Sequence, residues 1–160
     1  MTGPLLTLLD APRLAAYTGA GWWGSETLYT LALRHRSETP DAFAIRDRHR
    51  RLSYAALVAA ADRLASWLAG QGLRPGERVA VWLPSRVETA IALLACSRNA
   101  YVCCPSLHRD HTVDQVAELV DRMRAAAIIA QPDYGAPNYD TGYDARAERD
   151  DLLAMLAGRD

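Results

Sequence analysis

Between Arg78 and Ala130 the chain alternates short apolar runs with longer helical periods, and this alternation limits the folds open to it. Residues 78–83 form an apolar run with β-branched side chains, bounded by Leu73-Arg74-Pro75-Gly76 before it and Pro84 after it. A second run, residues 101–104, halts at Pro105, and a third occupies residues 127–130. Between the first two, Ser85 and Glu88 have the spacing of a capping box, followed by Val87, Ile91, Leu94 and Ala95 at helical intervals and by Asn99 as a stop. Between the second and third, Thr112 and Gln115 form another capping box ahead of Val113, Val116, Val120 and Met123. Parallel neighbours cannot be joined by a tight turn, so strand, helix, strand, helix, strand with short connections predicts parallel pairing through right-handed crossovers. The expected fold class is α/β, a layered parallel β-α-β-α-β unit.

Upstream, the pattern predicts a helix and a small hairpin. Ser25 is placed to cap a helix over residues 25–36 with Leu28, Leu31 and Ala32 on one face. The two rings of Gly21-Trp22-Trp23-Gly24 are expected to cover a core edge. Residues 42–46 and 51–52 flank the polar turn Asp47-Arg48-His49-Arg50, whose basic tip is expected to be solvated. Ser53 then caps the clearest amphipathic helix, with Leu57, Val58, Ala61, Leu64, Ala65 and Leu68 on one face and Gly70 and Gly72 at its end. The segment 133–143 reads as a loop, and a short helix is expected over 147–156, where Leu152, Leu153 and Leu156 share a stripe. Three parts follow: an arm over 1–24, the α/β unit over 25–131, and a loop with a short helix over 132–160.

A chain of 160 residues, half of them hydrophobic, can bury a substantial core. Its 18 basic and 19 acidic side chains leave a formal charge of −1, with no net field to hold a polyanion, so nucleic acid is not an expected partner. Every basic residue is arginine. Without lysine the chain contains no Walker A loop, no Schiff-base amine and no lysine to stabilise a phosphoryl transition state. No G-x-G-x-x-G occurs, which disfavours a dinucleotide fold. The apolar run Leu5, Leu6, Leu8, Leu9 has no basic n-region and is far short of a membrane span, and three cysteines fit a reducing compartment. The expected location is cytoplasmic.

Several residues invite chemical roles. Cys96, Cys103, Cys104, His108 and His111 lie close together in sequence, but adjacent strand residues such as Cys103 and Cys104 point to opposite faces, so buried thiols and solvated histidines are expected instead of a metal site. Ser25, Ser53, Ser85 and Thr112 each stand before an apolar-periodic run, where capping explains a hydroxyl. The cluster Arg46, Arg48, Arg50 and Arg51 could grip phosphates, against a solvated hairpin tip as the simpler reading. Asp133-Tyr134-Gly135, Tyr139 and Tyr143 could line a carboxylate pocket, against a surface loop as the simpler reading. No catalytic, cofactor-binding or metal residue is assigned.

Three ordered blocks carry a resemblance: Pro40-Asp41-Ala42-Phe43-Ala44-Ile45, then Leu52-Ser53-Tyr54-Ala55-Ala56-Leu57, then Gly72-Leu73-Arg74-Pro75-Gly76-Glu77-Arg78-Val79-Ala80. They resemble the opening of AMP-dependent synthetases and ligases, the adenylate-forming acyl-CoA synthetase family. The resemblance continues through Leu83-Pro84-Ser85-Arg86-Val87-Glu88 and through residues 95–107, so that it spans about 22–131. The wording Cys103-Cys104-Pro105-Ser106-Leu107-His108 looks most like members acting on medium-chain, cyclic or aromatic carboxylates. Two positions depart from the pattern: Ala100, where most members carry glycine, and Ala56, where most carry an acidic residue, and local backbone geometry is expected to differ there.

The resemblance implies a partial, N-terminal subdomain. In that family the ATP-phosphate loop, the motifs holding adenine and ribose, and the C-terminal domain with its catalytic lysine lie downstream of these blocks, and none of them is found in this sequence. ATP, Mg²⁺ and CoA are expected for the complete family enzyme and none for this chain. The resemblance implies a fragment of an AMP-forming carboxylate–CoA ligase, inactive alone, whose partner is the remainder of the synthetase. The alternative is a stand-alone interaction module in which a second copy covers the open edge of the sheet.

Overall fold

The computed structural model describes residues 10–105, 107, 109–132 and 134–136. The expected helix over 147–156 and the apolar run before Asp10 lie outside the described residues.

The alternating segment builds a three-stranded parallel sheet. Its strands are β3 (Arg78–Trp82), β4 (Val102–Cys104) and β5 (Ala125–Ala130), in the order β4-β3-β5. Val79 lies opposite Cys103 on one side and Ala127 on the other, so β3 is central. The connecting helices are α4 (Val87–Arg98) and α5 (Val113–Arg122). The chain steps from β3 to one edge and then crosses back over β3 to the other, so two crossovers of the same hand must leave their helices on opposite faces. Alternate strand residues show this division. Val79, Val81, Cys103, Ala127 and Ile129 pack with Ala92, Ala95 and Cys96 of α4, while Ala80, Trp82, Ile128 and Ala130 pack with Val116, Leu119 and Val120 of α5. β5 begins two residues before the apolar run that announced it.

The long helix α3 (Tyr54–Gly70) lies beside α4 on the first face. Ser53 Oγ accepts the Ala56 N–H at 3.3 Å, capping it as expected, and Gly72, at φ +89°, turns the chain away after its end. Its apolar stripe is split in use. Leu64, Ala65 and Leu68 enter the sheet-side core, whereas Leu57, Val58 and Ala61 join Ala32 and Leu94 in a second core. That second core is closed by α2 (Leu28–Glu38) and by the antiparallel hairpin of β1 (Phe43–Arg46) and β2 (Arg51–Ser53). Burying a side chain such as Leu68 contributes about 1.5–3 kcal/mol.

Three local expectations are corrected. Helix α2 starts later than Ser25, with Thr27 as its N-cap in a reciprocal box with Thr30: Thr27 Oγ1 accepts the Thr30 N–H at 3.2 Å and Thr30 Oγ1 accepts the Thr27 N–H at 2.8 Å. Two threonines three apart satisfy both orphan amides, which leaves nothing for Ser25 to do. The tryptophans do not cover the core: Trp22 is 74 % exposed and both rings lean on Tyr17, at centroid distances of 5.7 and 5.5 Å. Tyr17 belongs to α1 (Ala11–Gly19), a helix that buries no residue. The third correction concerns the start of α4 and belongs to the site.

Candidate functional site

All three parallel strands point their carboxyl ends toward one rim, the place where open α/β sheets present their loops to ligands. β3 leaves through Leu83-Pro84-Ser85-Arg86 into α4, β4 through Pro105 and Leu107, and β5 through Gln131 and Pro132. The polar side chains of this rim converge at the start of α4.

Ser85 is not the cap of α4. The N-cap position is Arg86, whose side chain makes no capping bond. The orphan amide of Val87 instead donates to Asp47 Oδ2 at 3.1 Å, a carboxylate supplied by the hairpin turn forty residues earlier. The other oxygen of Asp47 accepts the N–H groups of His49 and Arg50, at 2.7 and 2.8 Å, and so holds the turn itself. The bond from Val87, followed by that from His49, lowers the Asp47 carboxyl from its ordinary 3.8 to about 2. Glu88, freed from any box with Ser85, pairs with Arg50 of the hairpin tip and faces Arg86 Nε at 3.4 Å. Arg86 Nη1 donates in turn to Gln131 Oε1 at 2.9 Å, tying the α4 entrance to the end of β5. A dipole-favoured carboxylate and two arginines around Glu88 thus lock hairpin, helix and sheet together.

Beside this clamp the carboxyl end of β3 is covered. The Trp82 ring meets Tyr134 edge-on at a centroid distance of 5.9 Å, and the Ala136 N–H donates to His111 O at 2.9 Å. Gly135 passes so close to Trp82 that a Cβ there would sit 2.4 Å from the ring, and its φ of +120° is one that residues with a side chain rarely adopt.

The other candidate residues are dispersed among structural roles. Thr112 and Gln115 form the reciprocal box expected of them, at 3.3 and 2.9 Å. The hairpin arginines do not act as one grip: Arg50 is held by Glu88, Arg51 lies over the Phe43 ring at 4.1 Å, and Arg48 Nε donates to His49 Nε2 at 3.0 Å. Cys96 is buried, Cys103 packs on the same core, and Cys104, paired in register with Ala80, belongs to the opposite face. Among the described residues no three His, Cys, Asp or Glu side chains stand together to hold a metal ion. His108, Asp133, Tyr139 and Tyr143 lie outside the described residues. Sequence reading missed Asp47, Arg86 and Gln131; only the Asp at the head of a four-residue turn carried a signal, and that signal pointed to the turn, not to α4.

A further polar cluster joins the helices. Asp62 of α3 accepts the Tyr29 hydroxyl at 2.6 Å and Arg98 Nε at 2.9 Å, with Arg36 Nη1 at 3.6 Å. Burial first, and then the bond to Asp62, raise the Tyr29 hydroxyl above its ordinary pKa. Such a phenol is a donor held in place, not a base.

The model of the AMP-binding enzyme family matches residues 33–157. The chain belongs to the AMP-binding enzyme family. It is 35% identical over 152 residues to a salicyl-AMP ligase / salicyl-S-ArCP synthetase of Mycobacterium tuberculosis, covering 90% of this chain and 25% of that protein. It is 32% identical over 120 residues to a 2-hydroxy-7-methoxy-5-methyl-1-naphthoate–CoA ligase of Streptomyces carzinostaticus, covering 75% of this chain and 21% of the other. Among solved structures, the apo form of Mycobacterium smegmatis MbtA superposes with a TM-score of 0.65 at 34% identity, over 76% of this chain and 23% of that one. The chain therefore spans about a quarter of the length of the relatives it matches. The α/β architecture is that of the N-terminal portion of adenylate-forming enzymes, as the ordered sequence blocks implied.

Among the described residues, those at the start of α4 do not fit a phosphate group. Arg50 and Arg86 are committed to Glu88, Asp47 places a negative charge on the helix start that could have met a phosphate, and the chain has no lysine. Among the described residues no helix is long and apolar enough to cross a membrane.

Proposed function

We propose that this chain supplies the N-terminal α/β scaffold of an AMP-forming ligase that activates an aromatic carboxylic acid, and that it has no ligase activity alone. The observation that supports this reading most is the family match over residues 33–157 together with the small share, 25%, of the salicyl-AMP ligase that the chain spans. In the complete reaction a carboxylate attacks the α-phosphate of ATP, releasing pyrophosphate, and a thiol such as that of CoA then displaces AMP. Spreading negative charge in both steps requires Mg²⁺ and free cations. At the entrance to α4, Arg50 and Arg86 are paired with Glu88, and the contribution of this chain is read as a platform, completed by the remainder of a synthetase on separate or continuous polypeptide. The aromatic preference rests on the salicylate and naphthoate named for the two relatives above. The organisation into an arm over 1–24, the α/β unit over 25–131 and a tail over 132–160, and a cytoplasmic location, belong to the same reading.

The test is ATP–pyrophosphate exchange. The 160-residue chain alone is expected to show none with salicylate, with a medium-chain fatty acid or with neither. Combined with the downstream portion of a salicylate-activating relative, it is expected to restore exchange with salicylate in preference to the fatty acid. Exchange by the chain alone would overturn the scaffold reading, and a preference for the fatty acid would overturn the aromatic one.

A further inference from the structure

The buried thiol of Cys96 has no place in the scaffold role, and its surroundings single it out. Helix α4 ends in a Schellman turn: Ala100 takes φ +55° and the Tyr101 N–H reaches back to Cys96 O at 2.9 Å. The turn reverses the chain, so β4 runs back along the helix it has just left, and α4 and β4 are in contact. Cys103, opposite Val79 in the sheet, therefore faces the same apolar cluster that contains Val79 and Cys96. Cys96 is 1 % exposed within that cluster, while Cys103 is only partly buried, on the edge strand β4. Cys104 is opposite Ala80, which packs on the α5 side of the sheet. One buried and one reachable thiol thus share a face, and the third is directed away from them.

We propose that Cys96 and Cys103 form an oxidisable pair that closes to an intramolecular disulfide on exposure to a hydroperoxide, cross-linking α4 to β4. The interaction of the two thiols, hydrogen bonding above all, favours the ionised form at Cys103 and holds Cys96 protonated. The Cys103 thiolate attacks one peroxide oxygen; an S–O bond forms, the O–O bond breaks, and the departing hydroxide takes a proton to become water. Cys103 is then a sulfenic acid. The Cys96 sulfur attacks the Cys103 sulfur, the S–O bond breaks, and the hydroxide leaves as water with the Cys96 proton. Two thiols lose two electrons and two protons, and one hydrogen peroxide becomes two waters.

The chain carries its own assay, because trypsin cuts after Arg98 and separates Cys96, in the peptide 87–98, from Cys103 and Cys104, in the peptide 99–109. The native protein is treated with hydrogen peroxide, its remaining thiols are alkylated under denaturing conditions, and it is digested. The expected result is loss of two of the three thiols, a mass lower by two hydrogens, and a linked 87–98/99–109 pair that persists in Cys104→Ser and disappears in Cys103→Ser. The link must also disappear in Cys96→Ala, which removes the thiol without adding volume to the core. Retention of all three thiols in folded protein, a link that survives in Cys103→Ser, or bridges found only between chains would each overturn the proposal.

Discussion

Asp47 of the hairpin turn accepts the backbone amide of Val87 at 3.1 Å, so the first free N–H of α4 is capped from another part of the chain. A cap supplied at long range stabilises the contact between two elements as well as the helix it ends. Asp47→Ala is expected to lower the thermal midpoint and to loosen the hairpin, because the His49 and Arg50 amides lose the same acceptor. The effect depends on pH. The folded carboxyl lies at about 2, below its ordinary 3.8, so its contribution is complete above pH 4 and is lost as the pH falls from 4 toward 2. Wild type and Asp47→Ala should therefore differ in thermal midpoint at pH 6 and converge near pH 2, as followed by circular dichroism. A difference that persists unchanged at pH 2 would rule out the carboxylate as its source.

Ala100 holds the left-handed conformation at φ +55° that favours glycine. The Schellman bond from Tyr101 to Cys96 holds it there, at a cost to the Cβ. Ala100→Gly should relieve that crowding and stabilise the chain by about 1 kcal/mol, offset in part by the greater freedom of glycine when unfolded. Urea unfolding with an unchanged m-value is the measurement.

Ala56 occupies the third position of α3, where a carboxylate could return a bond to the backbone of its cap Ser53. The Ser53 hydroxyl is already bonded to the Ala56 amide, so half of a capping box exists. Ala56→Glu is expected to complete it and to add roughly 0.5–1 kcal/mol, visible as a higher denaturation midpoint.

Gly135 leaves no room for a side chain against Trp82, with 2.4 Å to the ring and 2.9 Å to His111 O. Gly135→Ala should displace the segment 134–136 from the rim and cost about 1–3 kcal/mol by overpacking. Its signature is local: a red shift in Trp82 fluorescence, read in a background where Trp22, Trp23 and Trp67 are phenylalanine, with the hydrogen-exchange protection of β3 retained.

Leu68 is 1 % exposed where α3 meets the sheet. Leu68→Ala is expected to cost about 2–5 kcal/mol, the largest single loss among these variants, because it opens a cavity inside the sheet-side cluster. Denaturant titration would place it; a cost below about 1 kcal/mol would contradict the packing described.

Local signals alone determined much of this protein. The apolar runs and capping hydroxyls placed β3 and α3 with their stops and the start of α5, and made the sheet parallel, because each feature depends on side chains within a few residues of one another. The ordered blocks from Pro40 to Ala80 pointed to the family before any strand was paired. Tertiary structure decided the rest. Strand order, with β3 at the centre, follows from which way each crossover packs. Ser85 and Glu88 have the spacing of a box and do not form one, because Asp47 and Arg50 arrive from the hairpin and offer α4 and Glu88 charged partners. The same holds for Gln131 beneath Arg86 and for Gly135 against Trp82: contacts between residues so far apart in the chain leave no period or spacing in the sequence, and only the folded chain brings them within reach.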